Sequence, residues 1–523
     1  MVPEDMESAI NLIVSQECKI AEMSSEICKL KEQNSHLVKQ LFGSKSERDI
    51  GKDVPFLPGM EEVDSSVKPA EEPAEETPVE CPKKKKRNGG GWGKDYDRLP
   101  KEEKKVALPD ALHYDENGNK LPLKFIGYES IERLAYRNPW FIQVYLLEKW
   151  VLSSEDGRSE VFIAPHPEGY FPDAGKKTKF EPSAISHIIF SKMNAHLPLY
   201  RQEQIAKIEG LSLDRSTLCR LFMQTASMGS PLHKLMNEEM NEREINHGDE
   251  THVKMQDPGK GKCKTVQVLC RVAGTGPPLI IYDFLPGRGK KDIEPYFIDY
   301  TGTLISDAYN GYEDLLKKNP YLEHAACWAH ARRKFIDAQN NFSERADEML
   351  MIIRQIYMVE RRVKKNITEI GKESSFFKMR QKMRKKVSSK LVDDYFIRCK
   401  KILEESAPGE SIYTAANYSL KLESKLRHFL KDARVDIDNN PAENAIRQIA
   451  LGRKNWLFFG NEEGGRNYAI LLSFAETCKK NGVNFKEWLE DFIANFMSTP
   501  ESEYKKFLPW IWKENQASAM ASQ

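Results

Sequence analysis

The feature that most constrains the fold is a series of strand-like runs in the middle of the chain. Three of these runs, residues 249–255, 265–270 and 278–284, follow one another at hairpin spacing and carry the apolar patterns of β-strands. A short helical stretch at residues 292–300 then leads to a fourth apolar run, residues 304–307, which ends in a carboxylate. The pattern predicts three antiparallel strands, a helical crossover and a fourth strand.

This order of elements is the one found in a ribonuclease H-like fold. The chemistry of that fold needs one carboxylate on the first strand, one at the end of the fourth strand and a third from a later helix. Asp249 and Asp307 fit the first two places. Two Mg²⁺ ions, about 3.5–4 Å apart, would activate the attacking oxygen and stabilise the leaving oxygen of a phosphoryl displacement. Because Mg²⁺ prefers oxygen ligands and keeps several waters, three carboxylates are sufficient.

The candidate for the third carboxylate is Glu443, which has two interpretations. Asn440, Pro441 and Glu443 have the spacing of a helix start, with Asn440 as N-cap, Pro441 at N1 and Glu443 at N3. In that role Glu443 reaches back to the cap, and the local pattern alone favours this interpretation. The alternative is a metal ligand, which requires the helix start to face the other two carboxylates.

Composition limits the class of protein. The chain has 523 residues, of which 40% are apolar and 30% charged, and its net charge is +1. These values exclude a membrane protein and, for most of the length, a disordered one, and they allow three or four domains of roughly 150 residues. Nine cysteines without a C-x-x-C pair predict neither a disulfide framework nor a four-cysteine zinc site. We therefore expect a soluble cytoplasmic protein with no membrane contact.

The N-terminal region predicts oligomerisation. In residues 1–48, apolar side chains recur at heptad positions a and d over five heptads, with Asn34 at one a position. This pattern indicates a coiled coil that joins identical chains, and the alternative is an amphipathic helix packed on its own chain. Residues 49–99 are acidic and proline-rich and contain a basic strip at residues 83–87, which is typical of a solvated linker that could lie along phosphates.

Two segments before the central strands predict a β-rich module and a DNA-binding region. Residues 100–178 contain short alternating runs bounded by Gly and Pro. Residues 179–243 are helical, and a turn at residues 209–211, which contains Gly210, separates two helices as in a helix-turn-helix. Because any two helices joined by a glycine turn share this pattern, a plain helical hairpin is the alternative. In a helix-turn-helix the groove-facing candidates are Arg215, Ser216 and Arg220.

The predicted core is divided by an insertion. Its first part is residues 244–338 and its second part residues 433–495, which a C-terminal tail at residues 496–523 follows. Residues 339–432 between the two parts predict an all-helical insertion. Within it, residues 354–390 contain thirteen Lys or Arg against three Glu, which indicates either a DNA clamp or an ordinary solvated face. The clamp candidates are Lys382, Arg384, Lys385 and Lys386.

Several ordered motifs resemble those of one protein family. Within the core the motifs are residues 249–251, 306–312, 327–335, 439–447 and 452–455. Agreement continues at residues 41–47, 196–202 and 507–510, so that it spans nearly the whole chain. On these motifs the chain resembles the DDE transposases of the insertion sequence 66 family.

The resemblance implies an activity and a set of site residues. Asp249, Asp307 and Glu443 match the family's catalytic triad, which holds two Mg²⁺ or Mn²⁺ ions, and this match outweighs the capping interpretation of Glu443. The implied function is a nucleoid-associated transposase that binds the terminal inverted repeats of its element, frees a 3′-hydroxyl and joins it to target DNA. Its further partners would be small accessory proteins of the element and other copies of this chain.

With the strand pattern, the resemblance predicts a multidomain α+β fold. A coiled coil, a small β-rich module and a helical DNA-binding region precede a ribonuclease H-like catalytic core with an all-α insertion. Family members usually carry a cysteine-rich zinc module where this chain has residues 100–178, but no cysteine lies between Cys81 and Cys219. The module is therefore degenerate, and we do not expect zinc there.

The matching motifs also contain basic residues and one Cys-x-x-His pair. Cys327 and His330 are interpreted either as a buried structural pair that braces the catalytic strand, or as a site from which His330 donates a hydrogen bond to the substrate phosphate. Two ligands alone do not make a zinc site. The candidates for phosphate contact behind this pair and behind Glu443 are Arg332, Arg333, Lys334, Arg447, Arg453 and Lys454.

Two other functions compete with the transposase. One is a ribonuclease H-like nuclease that only hydrolyses DNA, and the other is a catalytically silent DNA-binding regulator descended from a transposase. The predicted coiled coil and basic insertion argue against the nuclease, because a simple nuclease does not need to pair two DNA ends. The presence of all three carboxylates argues against the silent regulator, whereas the missing zinc ligands favour it.

Overall fold

The computed structural model describes residues 99–521, except for 115–119, 137–139, 154–158, 166–178, 258, 288, 308–310 and 371–372. The predicted coiled coil at residues 1–48 lies outside the described residues, as does the linker up to residue 98. The described residues within Trp92–Lys334 and Met349–Gln523 belong to one compact unit, and every side chain discussed below lies in it. In the described ranges, no helix is both long enough and apolar enough to cross a bilayer.

The N-terminal part of the described chain is a four-stranded sheet built around one long strand. Its strands are β1 (Lys101–Val106), β2 (Lys124–Tyr136), β3 (Trp140–Ser153) and β4 (Ser159–Ile163). β3 pairs with β1 in parallel and with β2 and β4 in antiparallel orientation. Leu134 and Ile142 of this sheet belong to the main hydrophobic core, so the sheet packs directly on the rest of the unit.

Three helices follow this sheet. They are α1 (Pro182–Met193), α2 (Leu199–Ile208) and α3 (Arg215–Asn241). The chain turns between α2 and α3 at Gly210, whose φ of 83° is readily adopted only by glycine. The turn predicted at residues 209–211 would start the second helix at Ser212, but α3 begins at Arg215. The reason is that Leu211 and Leu213 are buried in the connection, so the chain stays extended until the N-cap at Asp214.

A six-stranded mixed sheet forms the centre of the unit. Five of its strands and the helices between them are β5 (Ile245–Asp257), β6 (Lys262–Ala273), β7 (Ile280–Leu285), α4 (Lys290–Ile293), β8 (Thr303–Ser306), α5 (Gly311–Lys318), β9 (Glu323–Ala326) and α6 (Trp328–Gln339). The strand order is β7-β6-β5-β8-β9. β6 is antiparallel to β5 and β7, whereas β5, β8 and β9 are parallel. The three hairpin strands, the crossover and the fourth strand therefore occur in the predicted order.

The described residues from 343 to 430 are helical and contain no strand. The elements are α7 (Ser343–Ile370), α8 (Glu373–Met383), a π-helical turn (Arg384–Ser388), α9 (Ser389–Glu405), α10 (Ser411–Lys421), α11 (Glu423–Leu426) and a 3₁₀ turn (His428–Leu430). In α9, the buried residues Val392, Phe396 and Cys399 have the three- and four-residue spacing of one helix face. This amphipathic spacing explains why the segment forms packed helices.

The chain then returns to the central sheet. The remaining elements are α12 (Asn440–Trp456), β10 (Phe458–Phe459), α13 (Glu462–Lys480), α14 (Phe485–Asn495), a 3₁₀ helix (Glu501–Phe507) and α15 (Pro509–Ala521). β10 adds to the sheet as a short parallel partner of β5. The main hydrophobic core joins this sheet to α1, α3, α12, α13 and α14.

Helix α13 covers the edge of the central sheet. β7 is the last strand on that side, and its outward N–H groups would otherwise lack acceptors. The backbone N–H of Tyr282 donates to Ser473 Oγ at 2.8 Å, and that of Ile280 donates to Thr477 Oγ1 at 3.1 Å. Ser473 and Thr477 are four residues apart, so they lie on one face of α13 and satisfy alternate positions of the strand.

Candidate active site

Asp249 and Asp307 lie on adjacent strands. β5 and β8 are parallel, with His247 opposite Ile305. Asp249 is two residues beyond His247, and Asp307 directly follows the last residue of β8. The two aspartates therefore lie at the same end of the strand pair.

The electrostatics of Asp249 show that acidic side chains surround it. Burial, together with the negative charges of Asp307, Glu250 and Glu443, raises the pKa of Asp249 to about 7. The backbone N–H of Glu250 donates to Asp249 Oδ1 at 2.9 Å and opposes this rise. Glu250 in turn accepts a hydrogen bond from the Tyr312 hydroxyl. The arrangement brings together carboxylates from β5, from the end of β8 and from α12.

Asn439 connects the strand that carries Asp249 to the helix that carries Glu443. The Asn439 side chain is completely buried, at 0% exposure. Its amide group donates to the carbonyl oxygen of Gly248 at 2.9 Å, and its Oδ1 lies 3.2 Å from His247 Nδ1. Its backbone N–H donates to Cys327 Sγ at 3.2 Å. This role of Asn439 was not predicted from sequence. The available signal was the pair of Asn residues before Pro441, because a helix cap needs only one of them.

The capping prediction for Asn440 and Glu443 is wrong. Helix α12 begins at Asn440 with Asn439 in the cap position, and the cap makes no side-chain hydrogen bond. The Glu443 carboxylate instead faces α6, with Oε1 3.7 Å from His330 Nδ1 and Oε2 3.7 Å from Arg333 Nη2. Asn439, which occupies the cap position, instead uses its side chain between α12 and β5.

Cys327 and His330 both lie beside Glu443. Cys327 is buried, and burial raises the pKa of its thiol to about 11, although N–H groups that include that of Asn439 oppose the rise. Burial lowers the pKa of His330, while the negative charge of Glu443 acts in the opposite direction. One ligand atom from each of Cys327, His330 and Glu443 lies within 4.8 Å of the other two. This group could hold a metal ion only if the buried thiol lost its proton.

Basic side chains border the carboxylates. Arg332, Arg333 and Lys334 on α6 are exposed, as are Arg447 and Lys454 on α12. One further residue beside Asp307 was not predicted from sequence, because it lies on the insertion helix α10 and no local motif marks it. This residue is Tyr418, whose hydroxyl donates to the carbonyl oxygen of Asp307 at 3.4 Å and whose ring centre lies 5.8 Å from Lys334 Nζ.

Arg453 departs from the prediction. Its side chain is half-buried, and its guanidinium donates to the carbonyl oxygen of His252 on β5. The guanidinium of Arg453 therefore connects α12 to the central sheet. A phosphate contact would require this group to face solvent.

The prediction that Arg384 contacts DNA is wrong. Its side chain is 0% exposed, whereas Lys382, Lys385 and Lys386 beside it are exposed. Arg384 pairs with Glu360, with Nε 2.8 Å from Oε1, and donates to the carbonyl oxygens of Phe429, Asp432 and Val435. Its guanidinium is needed inside the protein because it donates to these three carbonyl oxygens and balances part of the charge of the buried Glu360.

A second buried arginine carries this network to the site. Arg380 donates to Glu360 Oε2 at 2.7 Å and to Asp436 Oδ1 at 2.8 Å. Asp436 Oδ2 lies 3.6 Å from His247 Nε2, and its hydrogen bonds and charge contacts with His247 and Arg380 hold its pKa well below the usual range. Arg380 of the insertion is thus connected through Asp436 to His247 on β5, two residues before Asp249.

The residues predicted to face a DNA groove lie at the start of α3. Arg215, Ser216 and Arg220 are all exposed on its first two turns. The backbone N–H of Arg215 donates to Glu203 Oε1 on α2 at 2.8 Å, which fixes the two helices to each other at this end. The three side chains are accessible to a duplex.

The candidate site lies in a region of the chain that matches a known family. The sequence model of the Transposase IS66 family matches residues 177–467, which include Asp249, Asp307 and Glu443. The chain belongs to the IS66 transposase family. Within this IS66 region lie the helices α1–α3, the central sheet, the insertion and α12.

Other members of similar sequence occur in Sinorhizobium fredii (strain NBRC 101917 / NGR234). Uncharacterized protein y4qI is 30% identical over 403 residues, which cover 74% of this IS66 chain and 72% of y4qI. Uncharacterized protein y4jD is 30% identical over 375 residues, which cover 69% of this chain and 71% of y4jD. The similarity therefore extends beyond the region that the family model matches and covers most of each protein.

Proposed function

We propose that this IS66 family member is a DNA transposase that binds the terminal inverted repeats of its element, cleaves a strand at each end and joins the 3′-hydroxyl to target DNA. The observation that carries the proposal is the meeting of Asp249, Asp307 and Glu443: burial, together with the negative charges of Asp307 and Glu443, raises the pKa of Asp249. Carboxylates held this close repel one another unless a cation binds between them.

The strand order supports a ribonuclease H-like core. β5, β6 and β7 form an antiparallel set, and β8 and β9 continue the sheet in parallel on the other side of β5. Asp249 lies on the first strand of this set and Asp307 at the end of the fourth. Glu443 comes from a later helix that packs on the same sheet.

The donor set fits divalent cations with a preference for oxygen. Glu443 Oε1 is buried and has no hydrogen-bond partner among the described residues, so it has an unused acceptor that faces the site. Asp249, Asp307 and Glu443 would hold two Mg²⁺ or Mn²⁺ ions, which when bound activate the attacking oxygen and stabilise charge on the leaving oxygen. Because the Cys327 thiol stays protonated at neutral pH, this donor set suits Mg²⁺ better than a soft metal.

The surrounding side chains have distinct tasks in this proposal. Asn439 and His247 hold β5 against the start of α12, and this contact fixes the distance between the two carboxylate-bearing elements. Arg333, beside Glu443, is placed to contact the phosphate that is attacked, because its head is exposed. His330 is positioned to donate a hydrogen bond to the same phosphate when the ring nitrogen on its exposed side is protonated.

DNA would lie across three exposed basic surfaces. The first is the start of α3 with Arg215, Ser216 and Arg220. The second surrounds the carboxylates with Arg332, Arg333, Lys334 and Arg447, and Lys454 extends it towards the far end of α12. The third is the insertion, with Lys382, Lys385 and Lys386. Pairing of two ends would use the predicted N-terminal coiled coil, and accessory proteins of the element are proposed further partners.

Neutralising Lys382, Lys385 and Lys386 together to Gln should weaken binding to end DNA and reduce its salt dependence. Each phosphate contact contributes about 0.9 to the slope of log K against log salt, so the slope should fall by roughly 2–3. The measurement is a fluorescence titration over a range of salt concentrations. The matched control replaces Lys234, Lys400 and Lys513, which are exposed on other helices. Equal slopes for the two triple variants would contradict the clamp.

Metal binding should strengthen as the pH rises. With a pKa of about 7, Asp249 is mostly protonated below that pH in the metal-free protein, and a cation must displace its proton. Mn²⁺ should therefore bind about tenfold more tightly at about pH 8 than at about pH 6. Calorimetric titration with Mn²⁺ measures this ratio, and Asp249→Asn should abolish the pH dependence. Equal affinity at the two pH values would argue against Asp249 as a ligand.

The direct test of function is a joining assay. Purified full-length protein is incubated with labelled DNA that carries its element's ends, a target plasmid and Mg²⁺. Joined products support a transposase. Nicked ends without joining would favour the hydrolytic nuclease, and specific binding without any metal-dependent chemistry would favour the silent regulator.

A further inference from the structure

An aromatic cavity lies between the helix-turn-helix region and the end of the catalytic helix. Its volume is about 190 Å³. One wall is formed by Cys219, Phe222 and Met223 of α3, and the other by Trp456, the last residue of α12, and Phe458 of β10. A buried water needs about 15 Å³, so the cavity has room for roughly a dozen water-sized groups.

Polar groups line part of the cavity. Lys192 Nζ lies 5.2 Å from the ring centre of Phe222 and 5.8 Å from that of Tyr468, and no carboxylate among the described residues pairs with it. Trp456 Nε1 and the Tyr468 hydroxyl are buried beside each other. Burial also lowers the pKa of Lys192 to about 8, which shows that this charge lacks adequate solvation.

The aromatic rim is held in place by a strained turn. Leu457 has a φ of 63°, in the left-handed region that non-glycine residues seldom adopt. This turn leads directly from α12 into β10, where Phe458 is 44% exposed and Phe459 is buried. The ring of Trp456 stacks on Phe459 at 4.9 Å between centres. Strain of this kind persists where the surrounding structure fixes it, and it is frequent at ligand-binding sites.

We propose that the cavity receives one unstacked base of the DNA that this protein binds, an inference that rests on the proposed function. Flat aromatic walls suit a nucleobase, because stacking on aromatic side chains compensates for the lost stacking within the duplex. Lys192 can only donate hydrogen bonds, so it suits a base that turns a carbonyl oxygen or a ring-nitrogen acceptor towards it.

The location of the cavity agrees with this occupant. Cys219 on its wall directly precedes Arg220, one of the exposed residues on the first turns of α3. The other wall is at the opposite end of α12 from Glu443, about 20 Å away at 1.5 Å per residue. A duplex that contacts the start of α3 would therefore pass the cavity on its way to the carboxylates.

A binding cycle between protein and DNA tests the proposal. Full-length protein carrying Asp307→Asn, which leaves the DNA uncut, is titrated with end duplexes in which each nucleotide in turn is made abasic. One abasic position should weaken binding by about fivefold to a hundredfold, because base–aromatic stacking contributes about 1–3 kcal/mol. Adding Phe458→Ala should weaken binding to the intact duplex similarly and abolish the effect of that abasic position. Lys192→Met, which leaves the exposed rim intact, should behave in the same way.

The control and the outcomes separate this proposal from the proposed function. Tyr321→Ala removes an aromatic ring that is 72% exposed and does not line the cavity, so the abasic effect should remain complete. If, at every nucleotide position, Phe458→Ala and the abasic change each lower the DNA affinity by the same factor alone as in combination, the cavity does not hold a base. This conclusion would stand even when the protein joins ends normally. If the protein binds no end DNA at all, both proposals fail.

Discussion

Replacing Asp307 with Asn is expected to slow the joining of element ends to target DNA by roughly a thousandfold or more. The amide keeps the size of the side chain but removes a charge that the metal ions require, and metal ions contribute several kcal/mol to charge stabilisation in phosphoryl transfer. Each 1.36 kcal/mol corresponds to a tenfold change in rate. The measurement is the rate of appearance of joined products from labelled end DNA, a target plasmid and Mg²⁺.

The electrostatics of the site separate this effect from misfolding. Asp307 raises the pKa of Asp249 by repulsion, so its neutralisation relieves strain in the metal-free protein. The melting temperature of Asp307→Asn in a chelator should therefore equal or exceed that of the unmodified protein. The matched control is Asp394→Asn, an exposed aspartate on α9, which should join ends at the normal rate. Joining by Asp307→Asn within about tenfold of the control would refute the triad.

Replacing Arg384 with Ala is expected to destabilise the protein by about 3–5 kcal/mol, the usual effect of removing one partner from a buried ion pair. Glu360 would keep only Arg380, and the carbonyl oxygens of Phe429, Asp432 and Val435 would lose their donor. Hydrogen exchange of residues 428–436 measures the effect locally, because this segment leads into α12. We expect exchange there to accelerate by at least about a hundredfold.

The neighbouring exposed residue provides the control. Lys385→Ala should change stability by less than about 0.5 kcal/mol, because surface substitutions away from special contacts seldom do more. It should nevertheless lower the salt dependence of DNA binding, which Arg384→Ala should leave unchanged under conditions where the variant is folded. The reverse result, a stable Arg384→Ala protein with a reduced salt slope, would show that the guanidinium faces DNA.

The arrangement of strands could be predicted from sequence because each strand is marked locally. Alternating or continuous apolar runs indicated β5, β6, β7 and β8, and the acidic residue at the end of β8 stood out from the apolar run before it. The places of Asp249 and Asp307 followed from the strand order. Glu443 could not be assigned from spacing alone, because the same residues also describe an ordinary helix start.

Other features depend on contacts between residues distant in sequence. Arg384 and Lys385 are equivalent in a charge count, yet one is buried against Glu360 and the other is exposed. The burial of Leu211 and Leu213, which delays the start of α3, is likewise decided by packing. Asn439 acts through Gly248, which is 191 residues away, and no local pattern marks such a contact.

The long separation between Gly248 and Asn439 also orders events during synthesis. Helices α2 and α3 and both aspartates leave the ribosome well before Asn439 and Glu443, because the whole insertion lies between them. Bringing such distant segments together carries a loop-closure cost that is recovered only when both are present. Under the proposed function, a nascent chain would thus be able to hold DNA before it is able to cut it, and the first DNA within its reach would be near its own gene.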